Sequence, residues 1–241
     1  MSRRDNAHVR CARCHLHVSL CLCSQIPCLL TRTRVVLVIH RDEQRKPTNT
    51  GLLALECLPN SEVWARGHTT SSDESFLLDP STTPLLLFPS NDAPPIGDFS
   101  CGARPISLIV PDGNWRQASK VPRRVPCLKG VTRVSLPGGQ PSAYRLRHEP
   151  RDGGLATMEA IARALGALEG PAVQIALEKV FCLMVERALW SRGSVATAAV
   201  TGGIPDGVQR HDPVSGALLS MSRSLEPGRG SVGENSRGKF C

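Results

Sequence analysis

Four cysteines near the start of the chain, Cys11, Cys14, Cys21 and Cys23, are spaced C-x2-C-x6-C-x-C. Two close pairs of thiolates can close a tetrahedral sulfur site on one ion, and a C-x2-C turn presents both sulfurs to the same side. Zinc suits such a site, because a structural role asks for neither redox chemistry nor an open coordination position. A set of partly buried free thiols is the alternative reading, and an iron–sulfur cluster takes the same ligand type. His15, His17 and Cys28 are neighbouring groups able to replace or supplement one of the four.

Three further groups of polar residues stand later in the chain, the first two directly after apolar runs. His40 and Glu43 lead into Thr48-Asn49-Thr50-Gly51, a succession suited to a tight loop whose N–H groups and side chains hold a carboxylate or a ribose. The same residues also suit a plain helix cap, and they lack the spacing of a Walker loop. Asp112-Gly113-Asn114-Trp115 places a carboxylate beside an aromatic wall, fit to accept a proton, although Pro-Asp-Gly is also ordinary turn chemistry. In the third group Arg145 and Arg147 alternate, as residues on one face of an extended strand do, and could clamp a phosphate or carboxylate. Their bland role would be to protect a sheet edge. A glycine-containing loop then leads to Thr157 and Glu159 at the start of a helix that Thr157 is placed to cap.

The elements that must hold these groups are legible from periodicity. Val35–Ile39, Leu85–Phe88 and Ile106–Val110 are almost continuously apolar, and the segment 131–136 is a fourth strand candidate. Such runs suit strands covered on both faces of a largely parallel sheet. Helices are expected over 51–57, 158–168 and from Pro171 to about Trp190, where Leu177, Val180, Phe181 and Met184 share a face. The pattern predicts an α/β domain with flanking helices. Because polar, Gly/Pro-containing segments follow the first three runs (His40 with RDEQRKPTNTG, then PSNDAPP, then PDGNWRQA), a ligand crevice is expected at the carboxyl ends of the sheet.

With 241 residues, 41% hydrophobic and 21% charged, the composition is that of a globular protein and excludes a wholly disordered chain. No apolar run is long enough to span a bilayer and no signal peptide is visible. Ten cysteines, five of them between Cys11 and Cys28, point to a metal site in a reducing cytoplasm rather than a secreted disulfide framework. Composition divides the chain into a cysteine-rich module over 1–34, an α/β domain over 35–203 that carries the polar motifs, and a mobile basic tail over 204–241.

In this order, C-x2-C-x6-C-x-C, His40 and Glu43 with Thr48–Gly51, LLLFPSNDA, Asp112-Gly113-Asn114-Trp115 with Ala118, and Leu146, Arg147, Glu149, Pro150, Leu155, Thr157, Glu159 and Ala160 resemble the DTW-domain family of tRNA-uridine aminocarboxypropyltransferases. Asn114 departs from the family's usual small residue such as Thr, Arg41 from a frequent Pro, and Leu52 from a frequent Arg. The resemblance implies a SPOUT-like fold with a C-terminal knot and a small zinc-ribbon-like module. It implies S-adenosylmethionine as donor, tRNA as substrate, and transfer of the 3-amino-3-carboxypropyl group to uridine N3. It further implies Asp112 and Trp115 as catalytic residues, with His40, Glu43, Thr48, Asn49, Thr50, Gly51, Thr157 and Glu159 around the donor. Arg145 and Arg147 would contact RNA, and Cys11, Cys14, Cys21 and Cys23 would bind structural zinc.

Two other functions share these features: a non-catalytic zinc-ribbon RNA-binding protein, and an RNA methyltransferase using the same donor. Nine aromatic residues are few for a broad stacking surface, which favours an enzyme. The net charge of +8 is concentrated in 1–34, with six Lys+Arg and one acidic residue, and in the tail. The ends are therefore expected to grip RNA while a nearly neutral middle does the chemistry.

Overall fold

Valine, leucine and isoleucine fill every position from Val35 to Ile39, and a strand of that composition needs apolar cover on both faces. In the computed structural model, which describes residues 7–67, 78–90, 92–100, 102–146 and 154–210, this run is the centre of β1 (Arg34–His40). In chain order there follow α1 (Arg41–Gln44), α2 (Thr50–Glu56), β2 (Ser61–Arg66), β3 (Thr83–Leu87), β4 (Ile106–Asp112), α3 (Trp115–Ala118), α4 (Val121–Arg124), β5 (Thr132–Val134), α5 (Thr157–Glu169) and α6 (Pro171–Ser191). The strands form one sheet in the order β2-β1-β4-β3-β5, with every neighbouring pair parallel.

Alternation along the strands sends side chains to two separate cores. Val35, Leu37, Ile39, Leu108 and Val110 pack on one face with Leu53 of α2, Ile161 of α5 and Phe181 of α6. Val36, Val38, Leu86 and Ile109 meet Val121, Val125 and Leu128 on the other. The expected α/β architecture with flanking helices is therefore present. Chain leaving β1 turns to β2 on one side, whereas chain leaving β4 crosses beyond β3 to β5 on the other. A crevice opens where neighbouring strand ends diverge in this way.

Differences from the sequence expectations have local causes. β2 lacks an apolar run because it is an edge strand, half-buried at most positions. The strand expected over 131–136 is only Thr132–Val134. Thr157 is the first residue of α5 and not its cap, which falls on Ala156. Arg145 lies in irregular chain rather than on a strand, while Arg147, Glu149 and Pro150 lie outside the described residues.

The cysteine-rich segment shares the main core. Cys14, Leu16 and Leu22 are buried with the sheet and helices, and Leu20 packs with Trp190 and Val200. Arg187 of α6, 7% exposed, donates from Nη1 to the carbonyls of Leu20 at 3.1 Å and Cys21 at 2.7 Å. The compositional boundary at 34 is thus no gap in packing. At the other end, Ile204 and Val208 pack beside Trp190, and the Arg210 guanidinium lies 5.4 Å from the Trp190 ring centroid. The first residues of the expected mobile tail are therefore part of the fold; 211–241 lie outside the described residues. Among the described residues no helix is long and apolar enough to cross a membrane.

Leu108, fully buried at the middle of the sheet, should on Leu108→Ala lose about 2–5 kcal/mol of stability in urea unfolding. Ile175→Ala, at a side chain 64% exposed, should stay within about 0.5 kcal/mol. Equal losses at the two sites would contradict the assigned core.

Candidate active site and metal centre

Asp112 is the last residue of β4, pairs in register with Ile39 of β1, and is 6% exposed. Burying a carboxylate is costly unless hydrogen-bond donors meet it. Asn49 Nδ2 donates to Oδ2 at 2.6 Å, and the Thr157 hydroxyl donates to Oδ1 at 2.5 Å. Those donors stand at the starts of α2 and α5. Asn49 is also the N-cap of α2, its Oδ1 accepting from Leu52 N at 2.8 Å, and Thr50 Oγ1 accepts from Met158 N at 3.3 Å. The adjoining N-terminal end of α5 further favours negative charge on Asp112. Gly51 allows a close approach: a Cβ there would stand 3.0 Å from Leu37 Cδ1 and 3.2 Å from Asp112 Oδ2. One carboxylate thus joins three of the motifs read from the sequence.

Around this junction lies a cavity of about 690 Å³, within the ~300–1,000 Å³ of pockets that enclose cofactor-sized ligands. It is walled by the chain after β1 (Glu43, Thr48–Thr50), after β3 (Phe88), after β4 (Asp112–Trp115), after β5 (135–141) and by the start of α5 (Thr157). Trp115 meets Phe88 edge-on, ring centroids 6.4 Å apart. Asn114 holds α3 in place through a reciprocal cap, its Oδ1 accepting from Gln117 N and its N donating to Gln117 Oε1, both at 2.9 Å. The departure at 114 therefore keeps a good N-cap residue, as Thr would. Glu43 is 3% exposed, lines the cavity and forms an ion pair with Lys46.

Several candidates serve as supports. His40 caps α1, its Nδ1 accepting from Asp42 N, and is outside the cavity lining. Glu159 accepts from Ser142 Oγ, Ala143 N and Ala156 N at 2.5–2.8 Å, so it ties the chain after β5 to α5. Arg145 is exposed and also outside the lining. Phe88, Tyr144 and Arg163 are among the wall residues missing from the sequence reading of the site. The Tyr144 hydroxyl donates to Thr48 O at 3.0 Å, and Arg163 donates to Gln140 O. Only the position of Phe88 at the carboxyl end of the apolar run Leu85–Phe88 could have signalled its place.

The four cysteines come together as the spacing predicts, their sulfurs all within 4.8 Å of one another. The closest separations are 3.4 Å for Cys11–Cys23, 3.6 Å for Cys21–Cys11 and 3.8 Å for Cys14–Cys21. Tetrahedral zinc with Zn–S near 2.3 Å requires sulfurs about 3.8 Å apart, so the donor set and its spacing fit zinc. His15 carries the positive φ of 59° at the turn after Cys14, and an isolated antiparallel bridge joins Arg10 to His17. His17 instead bonds Ser19 through Nδ1. Backbone N–H groups, that of Cys14 foremost, pull the Cys11 thiol down to about 6 against the opposing effect of burial. Burial raises Cys14 and Cys23.

The family model for the DTW domain matches residues 8–189, spanning both the cysteine segment and the sheet. The chain is 31% identical over 172 residues to tRNA-uridine aminocarboxypropyltransferase 2 of Drosophila melanogaster, covering 68% of each protein. It is 30% identical over 206 residues to tRNA-uridine aminocarboxypropyltransferase A of Arabidopsis thaliana, covering 70% of this chain and 77% of the relative. Among solved structures, the SAM-dependent rRNA:acp-transferase Tsr3 from Vulcanisaeta distributa aligns with a TM-score of 0.43 at 15% identity, over 71% of this chain and 85% of that one.

Cys14→Ser should lower bound zinc measured by elemental analysis and lower the melting temperature; undiminished zinc with an unchanged melt would contradict the metal centre. Asn49→Ala removes both the cap of α2 and a donor to Asp112, so it should cost about 1–2 kcal/mol in urea unfolding. An unchanged midpoint would show that the junction does not brace the fold.

Proposed function

Since the chain belongs to the DTW-domain family, we propose that it transfers the 3-amino-3-carboxypropyl group of S-adenosylmethionine to N3 of a tRNA uridine. The observation that carries this reading is the cavity at the carboxyl ends of β1, β3, β4 and β5, with a buried carboxylate and an aromatic wall meeting in it. Its size and mixture of aromatic, aliphatic and polar lining suit a ligand with a purine at one end and an amino acid at the other. When bound, S-adenosylmethionine supplies a sulfonium-activated γ-carbon: the N3–carbon bond forms, the carbon–sulfur bond breaks, and the sulfur keeps the electron pair as 5′-methylthioadenosine leaves.

The residues divide this task by chemistry. Glu43 receives the ammonium of the methionine end in place of Lys46. Thr48 faces the same end, while Asn49 and Thr50, whose side chains are committed to Asp112 and Met158, keep the loop in shape. Trp115 and Phe88 offer flat surfaces on which a base can stack. Asp112 accepts the N3 proton. The proton leaves N3 for Asp112 as the new N3–carbon bond forms. Fixing both reactants along the line of displacement supplies much of the acceleration.

Incubation with an unmodified tRNA transcript and S-adenosylmethionine should yield 5′-methylthioadenosine in step with acp3U in digested RNA. S-adenosylhomocysteine instead would identify a methyltransferase, and RNA binding without product a non-catalytic protein. Asp112→Asn keeps the size of the side chain and removes the charge, avoiding the two unpaired donors that Asp112→Ala would leave. It should lower kcat about 100-fold or more with little change in donor affinity; near-normal kcat would remove Asp112 as the proton acceptor.

A further inference from the structure

Between Asp112 and Glu149 the chain contains eight Lys+Arg and no acidic residue. The near-neutral middle of the sequence therefore conceals a segregated block of charge. Its described part runs from α3 through α4 into β5 and carries Arg116, Lys120, Arg123, Arg124, Lys129 and Arg133. Val121, Val125 and Leu128 are buried against the sheet, which leaves Arg123, Arg124, Lys129 and Arg133 exposed. None of the six makes a side-chain hydrogen bond or ion pair among the described residues.

The arginines of the amino-terminal segment are engaged differently. Arg13 pairs with Glu56, Arg34 with Glu62, Arg10 donates to His15 O, and Arg32 donates to Gly102 O. Arg210, at the other end, stacks on Trp190. The cations expected to grip RNA from the described ends thus fasten the fold, whereas the six on and beside α3, α4 and β5 form a continuous run of uncommitted ones. That block adjoins the cavity directly: Trp115 lines it, and Arg116 is the next residue and exposed.

We propose that α3, α4 and the start of β5 form the surface that binds the phosphate backbone of the RNA whose base enters the cavity. This rests on the proposed activity for the identity of the RNA, but it is tested by binding alone. Arginine and lysine held on a packed helical segment and free of acidic partners can each neutralise a phosphate without first breaking an ion pair. The short α4, anchored by buried Val121 and by Val125 just after it, fixes the spacing of these cations relative to Trp115.

The test compares variants of equal net charge. Arg123→Gln/Arg124→Gln removes two positive charges on α4; Lys179→Glu changes the net charge equally at an exposed residue of α6. The α4 pair should weaken binding of an unmodified tRNA transcript about tenfold and flatten its salt dependence by about 1.4–1.8 in log–log slope. Lys179→Glu should change binding less than twofold, and S-adenosylmethionine affinity and melting temperature should hold in both. Arg116→Gln/Lys129→Gln provides a second pair on the same surface and should act as the first does. Equal effects from α4 and α6, or none from either α4-side pair, would overturn the surface. Normal RNA binding without acp3U in the wild type would overturn the activity while leaving this surface to be judged on affinity.

Discussion

The architecture of the site turns on one buried carboxylate. Asp112 ends a central strand, and its two oxygens accept from Asn49 at the start of α2 and Thr157 at the start of α5. A carboxylate 6% exposed without those donors would be strongly unfavourable. The same bonds set the distance between the loop after β1, the turn after β4 and the first turn of α5. Thr50 and Gly51 complete the junction, one by accepting from Met158 and the other by allowing the close approach of α2. A cavity assembled from four strand ends depends on this node, because the strands alone fix only where each loop begins.

The outer wall depends on a second set of polar ties. Glu159 reaches back from α5 to Ser142 and Ala143, Tyr144 reaches across to Thr48, and Arg163 holds Gln140. The chain after β5 has little regular structure, so these contacts substitute for a ladder of backbone bonds. Outside the cavity lining, Arg187 joins α6 to the turn carrying the cysteines. The cysteine cluster and the sheet are thereby parts of one packed body, and a match of the DTW model across 8–189 agrees with that continuity.

Legibility in the sequence followed burial. β1, β3 and β4 were visible because strands covered on both faces need unbroken apolar runs. β2 was not, since an edge strand with residues such as Glu62 and Arg66 carries no such constraint. The cysteine spacing was sufficient to foresee the cluster, for a C-x2-C turn leaves its sulfurs little freedom. Asp112, Trp115, Glu43, Thr48, Asn49, Thr50 and Thr157 all line the cavity, but the division of labour among them was invisible. Whether Asn49 faces a ligand or Asp112 depends on contacts spanning 63 residues, which no local pattern encodes. Charge misled for a similar reason: Arg13 and Arg34 look free until Glu56 and Glu62 are brought beside them.

The central claim is that this cavity presents the aminocarboxypropyl carbon of the donor, and not its methyl group, to RNA. Parallel reactions with S-adenosylmethionine labelled either in the carboxyl carbon or in the methyl carbon test it most directly. The account predicts label in the RNA from the carboxyl form only, with the methyl label recovered in 5′-methylthioadenosine. Methyl label in the RNA, or no label from either donor, would contradict it.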